Sequence, residues 1–131
     1  MTTPYQKEWL QAITGPRPVL LVDDSKDDCF SILRSSQDFN IAWTVVNDFQ
    51  EALKAANDCK HYRLAVIDLH LGGGNSGVEI YKAIKSRCPW LPVLILSGYI
   101  NEQMFDDITN LGFAMFLRKP PSFDQKFFGE L

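Results

Sequence analysis

Residues 64–68 read Leu-Ala-Val-Ile-Asp, an unbroken apolar run followed at once by a carboxylate. Such a run is typical of a strand buried on both faces, as in parallel sheets that helices cover on either side. The next residues, 69–77, read LHLGGGNSG, and their glycines indicate a loop. The stretch therefore predicts a central parallel strand that carries an acid at its carboxyl end.

On both sides of this strand the chain alternates between strand patterns and helix patterns. Apolar or β-branched runs predict strands at 18–22, 41–46, 64–68, 91–96 and 113–117. Apolar residues at helical spacing and good helix formers predict helices at 25–36, 49–58, 78–87, 102–110 and near 123–131. Five such units imply an α/β fold, with one parallel sheet and helices on both faces joined by right-handed crossovers.

The length of 131 residues fits a single domain and is too short for an eightfold barrel. Residues 1–16 precede the first unit, and the spacing of Tyr5, Trp9, Leu10 and Ile13 favours a helix with one apolar face. We therefore interpret residues 1–16 as an N-terminal extension and residues 17–131 as the domain.

Charge, hydropathy and cysteine content argue against several classes of protein. The net charge is −3 and the basic residues do not cluster, which disfavours a nucleic-acid or membrane partner. The apolar runs are too short to span a bilayer, and the N-terminus lacks the apolar core of a signal peptide. Cys29, Cys59 and Cys88 lack metal-binding spacing, and their odd number predicts reduced thiols in a cytoplasmic protein.

Polar residues follow four of the five predicted strands. Asp23 and Asp24 follow the first strand, Asp68 ends the third, Ser97 follows the fourth and Lys119 lies just beyond the fifth. Because the carboxyl ends of parallel strands share one edge, we expect these side chains to converge there. Three carboxylates, a hydroxyl and an ammonium predict a site for a divalent cation and a phosphoryl group.

Each of these side chains has a chemical role to offer. The carboxylates of Asp23 and Asp24 would repel that of Asp68 unless a hard cation such as Mg²⁺ lies between them. We expect the Asp68 carboxylate to be exposed at the sheet edge, where it can attack phosphorus and form an acyl phosphate. The Ser97 hydroxyl can donate to a phosphoryl oxygen, and the Lys119 ammonium can neutralise charge on the transferred group.

A structural role is also open for each residue taken alone. Asp23 and Asp24 can cap the next helix, and Asp68 can begin a turn. Ser97 can cap a turn, and Lys119 can be an ordinary surface lysine. Their joint occurrence at the ends of alternating units favours the functional interpretation.

These residues lie in motifs by which the chain resembles the receiver domain of two-component response regulators, over residues 17–131. The motifs are VLLVDDS (19–25), AVIDLHLGGGNSGVEI (65–80), VLILSG (93–98) and FLRKP (116–120). The resemblance implies a (βα)5 flavodoxin-like fold, a doubly wound parallel sheet with strand order 2-1-3-4-5.

The resemblance implies that Asp68 is the phosphoacceptor and takes a phosphoryl group from a phosphohistidine. The donor would be a histidine kinase or a histidine phosphotransfer protein. Mg²⁺, or Mn²⁺, would be bound by Asp23, Asp24, Asp68 and the backbone carbonyl of His70.

The resemblance also implies how such a site would act as a switch. Ser97 and Lys119 would bind the phosphoryl oxygens. Ser97 and Phe116, the aromatic residue three positions before Lys119, would rearrange on phosphorylation and alter a face that binds a downstream protein. The implied protein is a cytoplasmic phosphoprotein of a phosphorelay, with self-phosphorylation and autophosphatase activity only and no separate catalytic output domain. The resemblance also allows a homodimer.

The loop after Asp68 departs from the family pattern. The usual Met-Pro or Leu-Pro pair is absent, Gly72, Gly73 and Gly74 stand in its place, and Gly77 lies nine rather than eight residues beyond Asp68. This departure leaves open a receiver-like interaction module that works without phosphorylation.

Two other α/β classes fit the residues less well. A phosphatase with a nucleophilic aspartate would need a second acid where His70 stands. In an FMN-binding flavodoxin, the acidic run at 23–28 would repel the cofactor's phosphate.

Overall fold

A five-stranded parallel sheet lies at the centre of the molecule, in the order β2-β1-β3-β4-β5. The computed structural model describes residues 16–71, 76–98, 102–110 and 115–118. The strands are β1 (Val19–Val22), β2 (Trp43–Val46), β3 (Leu64–Asp68), β4 (Val93–Ser97) and β5 (Met115–Arg118). The helices are α1 (Lys26–Ser35), α2 (Phe49–Asn57), α3 (Gly77–Arg87) and α4 (Glu102–Thr109), with short 3-10 turns at Gln37–Phe39 and Cys59–His61. The predicted fold and strand order are confirmed.

Capping side chains set where the first three helices begin. The Ser25 hydroxyl accepts a hydrogen bond from the backbone N–H of Asp28, at 3.1 Å. Asp48 accepts from the backbone N–H three residues on, at 2.8 Å, and Ser76 accepts from the N–H two residues on, at 3.1 Å. Each cap satisfies an N–H group that has no partner within its helix.

The sheet separates two apolar layers, because alternate residues of each buried strand point to opposite faces. One layer packs α1 against the sheet, through Cys29 and Ile32. The other packs α2, α3 and α4, through residues such as Ala52, Ile84 and Ile108. The sheet is thus covered on both sides, and its carboxyl edge is left for polar residues.

Strand register brings two of the predicted site residues to the same level. Val22 of β1 is aligned with Ile67 of β3. Asp23 and Asp68 each follow one residue later, so they lie side by side at the carboxyl edge. The expected convergence at this edge is a direct consequence of parallel pairing.

Several predictions concern residues outside the described part of the chain. These are the N-terminal extension, apart from residue 16, the helix near 123–131, the glycines at 72–74 and Lys119. Among the described helices, none is long and apolar enough to cross a membrane.

The prediction of three reduced thiols is wrong, because Cys59 and Cys88 form a disulfide. Cys59 begins the 3-10 turn after α2, and Cys88 directly follows α3. The two helices pack side by side, which brings their last residues together although the cysteines are 29 positions apart. Cysteine counting missed the pair because it carries no information about which helices are neighbours.

Candidate functional site

Three carboxylates meet at the carboxyl edge of the sheet, as predicted. Asp23, Asp24 and Asp68 each offer an oxygen, and these oxygens all lie within 4.8 Å of one another. The Asp23 and Asp68 side chains are buried, with exposed fractions of 0% and 3%, whereas Asp24 is exposed. Two of the three charges therefore sit where water solvates them poorly, and the third faces solvent.

Asp23 is held by backbone and side-chain hydrogen bonds. Its Oδ1 accepts from the backbone N–H of Ser25 at 3.0 Å, and its own N–H donates to the carbonyl of Val46 at 3.1 Å. Asn47, the residue after β2, donates from Nδ2 to the Asp23 carbonyl at 2.9 Å. Ser25 is the residue that caps α1. The carboxylate of Asp23 therefore stabilises the turn before this helix and also belongs to the acidic cluster.

The Asp68 carboxylate was expected to be exposed, and this expectation is wrong. Asp68 belongs to a strand with neighbours on both sides, and the loop after it turns back toward the sheet. Its Oδ1 accepts from the backbone N–H of His70 at 3.1 Å, the pattern of a turn-forming aspartate. The structural and functional interpretations of Asp68 are thus compatible, because one oxygen supports the turn while the carboxylate belongs to the acidic cluster.

The loop that follows Asp68 returns to the strand end before α3 begins. His70 and Ser76 form an isolated antiparallel bridge, and the Gly77 N–H donates to the carbonyl of Leu69 at 2.9 Å. A Cβ added at Gly77 would overlap the Asp68 carbonyl oxygen and lie 3.0 Å from Cγ2 of Ile67. Only glycine therefore fits this close approach, nine residues beyond Asp68.

Ser97 lies on β4, which pairs with β3, and Phe116 lies on β5, the edge strand that pairs with β4. Ser97 ends β4, is buried and is paired with Arg118 of β5. Phe116 of β5 is half-buried, and its ring centroid is 5.1 Å from that of Phe105, an exposed residue of α4. The Phe116 ring thus packs on a helix that begins shortly after Ser97.

The donor set of the acidic cluster fits a hard divalent cation. All three side chains offer carboxylate oxygens, which Mg²⁺ and Mn²⁺ prefer to nitrogen or sulfur ligands. A cation here would offset the mutual repulsion of the three charges. Asn47 was not identified from sequence, although it donates a hydrogen bond to the Asp23 carbonyl. Gly77 was noted only for its spacing from Asp68, and its contact with the Asp68 carbonyl was not predicted.

Comparison with known proteins gives a consistent result. The family model described as the response regulator receiver domain matches residues 19–126. The chain is 29% identical over 113 residues to the acid tolerance regulatory protein ActR of Sinorhizobium medicae (strain WSM419). That match covers 86% of this chain and 57% of the relative, so the chain spans a little over half the length of ActR.

Solved structures show the same fold. A CheY-like receiver domain protein from Methanospirillum hungatei JF-1 superposes with a TM-score of 0.73 at 18% identity, covering 82% of this chain and 85% of the other. A response regulator protein from Burkholderia pseudomallei was solved with a phosphorylated aspartic acid, a calcium ion and citrate. It superposes with a TM-score of 0.71 at 24% identity, covering 82% of this chain and 62% of the other. NtrX from Brucella abortus superposes with a TM-score of 0.70 at 27% identity, covering 88% of this chain and 25% of the other.

Proposed function

Because this chain belongs to the response regulator receiver domain family, we propose that it is a phosphoacceptor switch whose acceptor is Asp68. The observation that carries the proposal is the meeting of Asp23, Asp24 and Asp68 at the end of a fully buried strand. A relative of the same fold from Burkholderia pseudomallei was solved with a phosphorylated aspartic acid. That relative supports the chemistry proposed for Asp68.

The proposed donor is a phosphohistidine of a histidine kinase or a histidine phosphotransfer protein. One oxygen of the Asp68 carboxylate attacks phosphorus, the P–N bond breaks, and the histidine nitrogen leaves with the bonding electrons. The product is an acyl phosphate on Asp68. Hydrolysis of this bond by water would return the carboxylate, which is the autophosphatase activity expected of the domain.

We propose that Asp23, Asp24, Asp68 and the backbone carbonyl of His70 bind Mg²⁺, or Mn²⁺ in its place. When bound, the ion would offset negative charge on the carboxylates and on the phosphoryl oxygens. The chain's own contribution is to hold the carboxylates in position before the donor arrives. The bonds from Ser25 and Asn47 to Asp23 do this on β1.

We propose that the Ser97 hydroxyl, at the end of β4, donates to a phosphoryl oxygen. We also propose that Lys119, which lies outside the described residues, supplies a positive charge. Phosphorylation adds a charge of about −1.5 to −2 and three acceptor oxygens at this edge. The Ser97 hydroxyl would move toward the new oxygens, and Phe116 would turn inward from its contact with Phe105.

The surface that changes would include α4 and β5, and its partner would be a downstream protein or a second copy of the chain. We expect these events in the cytoplasm, where ATP-dependent kinases form phosphohistidine.

The test uses a small phosphodonor, acetyl phosphate, with and without Mg²⁺. Intact-mass analysis should show one added phosphoryl group on the wild type in the presence of Mg²⁺, and none on Asp68→Asn. Asp58→Asn, a change of an exposed aspartate outside the acidic cluster, is the matched control and should be labelled like the wild type. Equal labelling of Asp68→Asn and the wild type would overturn the assignment of the acceptor. Absence of labelling and of Mg²⁺ binding in the wild type would favour the interaction module that works without phosphorylation.

A further inference from the structure

We propose that Cys59 and Cys88 form a redox site, in which an external disulfide reversibly converts two thiols into a cross-link between the ends of α2 and α3. The proposal is independent of phosphorylation. It rests on the position of the pair, on what the cross-link encloses and on how deeply the sulfur atoms are buried.

The backbone holds the pair at a distance suited to a disulfide. The two Cα atoms are 6.4 Å apart, within the usual range of about 4.4–6.8 Å. Cys59 lies in the turn after α2 and Cys88 at the end of α3. Because these helices run opposite to the strands, the pair lies at the amino edge of the sheet, away from the acidic cluster. The third cysteine, Cys29, is buried in the other apolar layer and is poorly placed to exchange with either.

The cross-link encloses the part of the chain that carries the proposed acceptor. The loop closed between the two cysteines contains β3, the glycine-rich loop and all of α3. Asp68 and Gly77 both lie within it. Cross-linking removes conformational freedom from the unfolded chain over this stretch, so oxidation should stabilise the βα unit that contains Asp68.

Burial makes the oxidised pair resistant to reductants. The exposed fractions of Cys59 and Cys88 are 1% and 4%. A reductant must attack a sulfur atom directly, so it can act only after the ends of α2 and α3 open. We therefore expect slow reduction of the native protein and rapid reduction of the unfolded chain.

The chemistry is a thiol–disulfide exchange with a small-molecule disulfide, for which glutathione disulfide is the probe. Burial limits access in this direction too, so the ends of α2 and α3 must first open. The thiolate of one cysteine then attacks a glutathione sulfur, and the first glutathione leaves as a thiolate. The second cysteine then attacks the protein sulfur of the mixed disulfide and releases the second glutathione. The protein loses two electrons and two protons, which the two glutathione molecules carry away as thiols.

The first test counts thiols in the full chain. Protein treated with glutathione disulfide, or with dithiothreitol under denaturing conditions, is denatured and alkylated with N-ethylmaleimide, and its mass is measured. The wild type has three cysteines, so we expect one label after oxidation and three after reduction. In Cys29→Ser, the expected numbers are none and two. Three labels on the oxidised wild type, or glutathione adducts in place of a cross-link, would overturn the proposal.

The second test measures thermal stability. For the separation of 29 residues, loop-closure entropy predicts a Tm about 13 °C higher for the oxidised wild type than for the reduced protein. The double variant Cys59→Ser, Cys88→Ser should have a Tm that does not respond to reductant. If this variant does not fold, the two redox states of the wild type decide the question alone, and equal Tm values would contradict the proposal.

Discussion

Replacing Gly77 with alanine should destabilise the protein, because the added methyl group has no room. Its Cβ would overlap the Asp68 carbonyl oxygen and lie 3.0 Å from Cγ2 of Ile67. These neighbours belong to the central strand β3, whose backbone is paired on both sides and cannot easily move. An alanine in a helix normally stabilises by up to about 1 kcal/mol relative to glycine. Overpacking costs about 1–3 kcal/mol, and more where the neighbour is rigid.

The overlap should therefore outweigh the gain in helix propensity, with a net loss of about 2 kcal/mol. For a chain of 131 residues, this corresponds to a fall in Tm of about 7 °C. The matched control is Gly98→Ala, because a Cβ at Gly98 meets no atom of the described residues within 4 Å. Its stability should stay within about 0.5 kcal/mol of the wild type.

Urea unfolding followed by tryptophan fluorescence gives both free energies of unfolding. The steric overlap at Gly77 predicts a lower midpoint for Gly77→Ala with an unchanged slope, and a wild-type curve for Gly98→Ala. Wild-type stability of Gly77→Ala would refute it, and so would an equal loss in the two variants. A second consequence follows from the same contact, because any shift of the Asp68 carbonyl moves the acidic cluster. Gly77→Ala should therefore bind Mg²⁺ more weakly than Gly98→Ala.

Three further predictions concern single side chains. Tyr81→Phe should raise the free energy of unfolding by about 1 kcal/mol, because within the described residues no partner reaches the buried Tyr81 hydroxyl. Burial also raises the pKa of Tyr81. As pH rises, Tyr81 therefore loses its proton in the unfolded chain before it does so in the folded protein, and wild-type stability falls above about pH 10. Urea unfolding measured across this range should show a smaller fall in stability for Tyr81→Phe. Asn47→Ala removes the hydrogen bond to the Asp23 carbonyl and should lower the free energy of unfolding by about 1 kcal/mol. Scanning calorimetry measures this loss, and an unchanged stability would contradict the role given to Asn47. Asp24→Asn removes one of the clustered charges, so the metal-free protein should have a higher Tm than the wild type. Its Mg²⁺ affinity, measured by titration calorimetry, should fall at least about tenfold. Unchanged affinity would exclude Asp24 as a ligand.

The arrangement of the sheet was predictable because its signals are local. The apolar run at 64–68 indicates burial on both faces wherever the strand lies, and it forms the central strand β3. The meeting of Asp23 and Asp68 then follows from one general rule, that parallel strands end at a common edge. The capping role of Ser25 could also be predicted, since it depends on residues only three positions away.

Features that depend on packing between distant segments could not be predicted in this way. The bond between Asn47 and Asp23 spans 24 positions and depends on the register of β1 and β2. The disulfide of Cys59 depends on α2 and α3 being neighbours, which spacing along the chain does not reveal. Asp68 is buried, and its carbonyl is closely approached by Gly77, a contact between residues nine positions apart.

The most direct test of the central claim is to locate the phosphoryl group chemically. After incubation with acetyl phosphate and Mg²⁺, borohydride reduction converts an acyl phosphate of aspartate to homoserine, and peptide sequencing by mass spectrometry identifies the position. The proposed function predicts homoserine at position 68, dependent on Mg²⁺ and absent without the phosphodonor. Homoserine at position 23 or 24, or an unmodified peptide from a folded, Mg²⁺-bound protein, would contradict it.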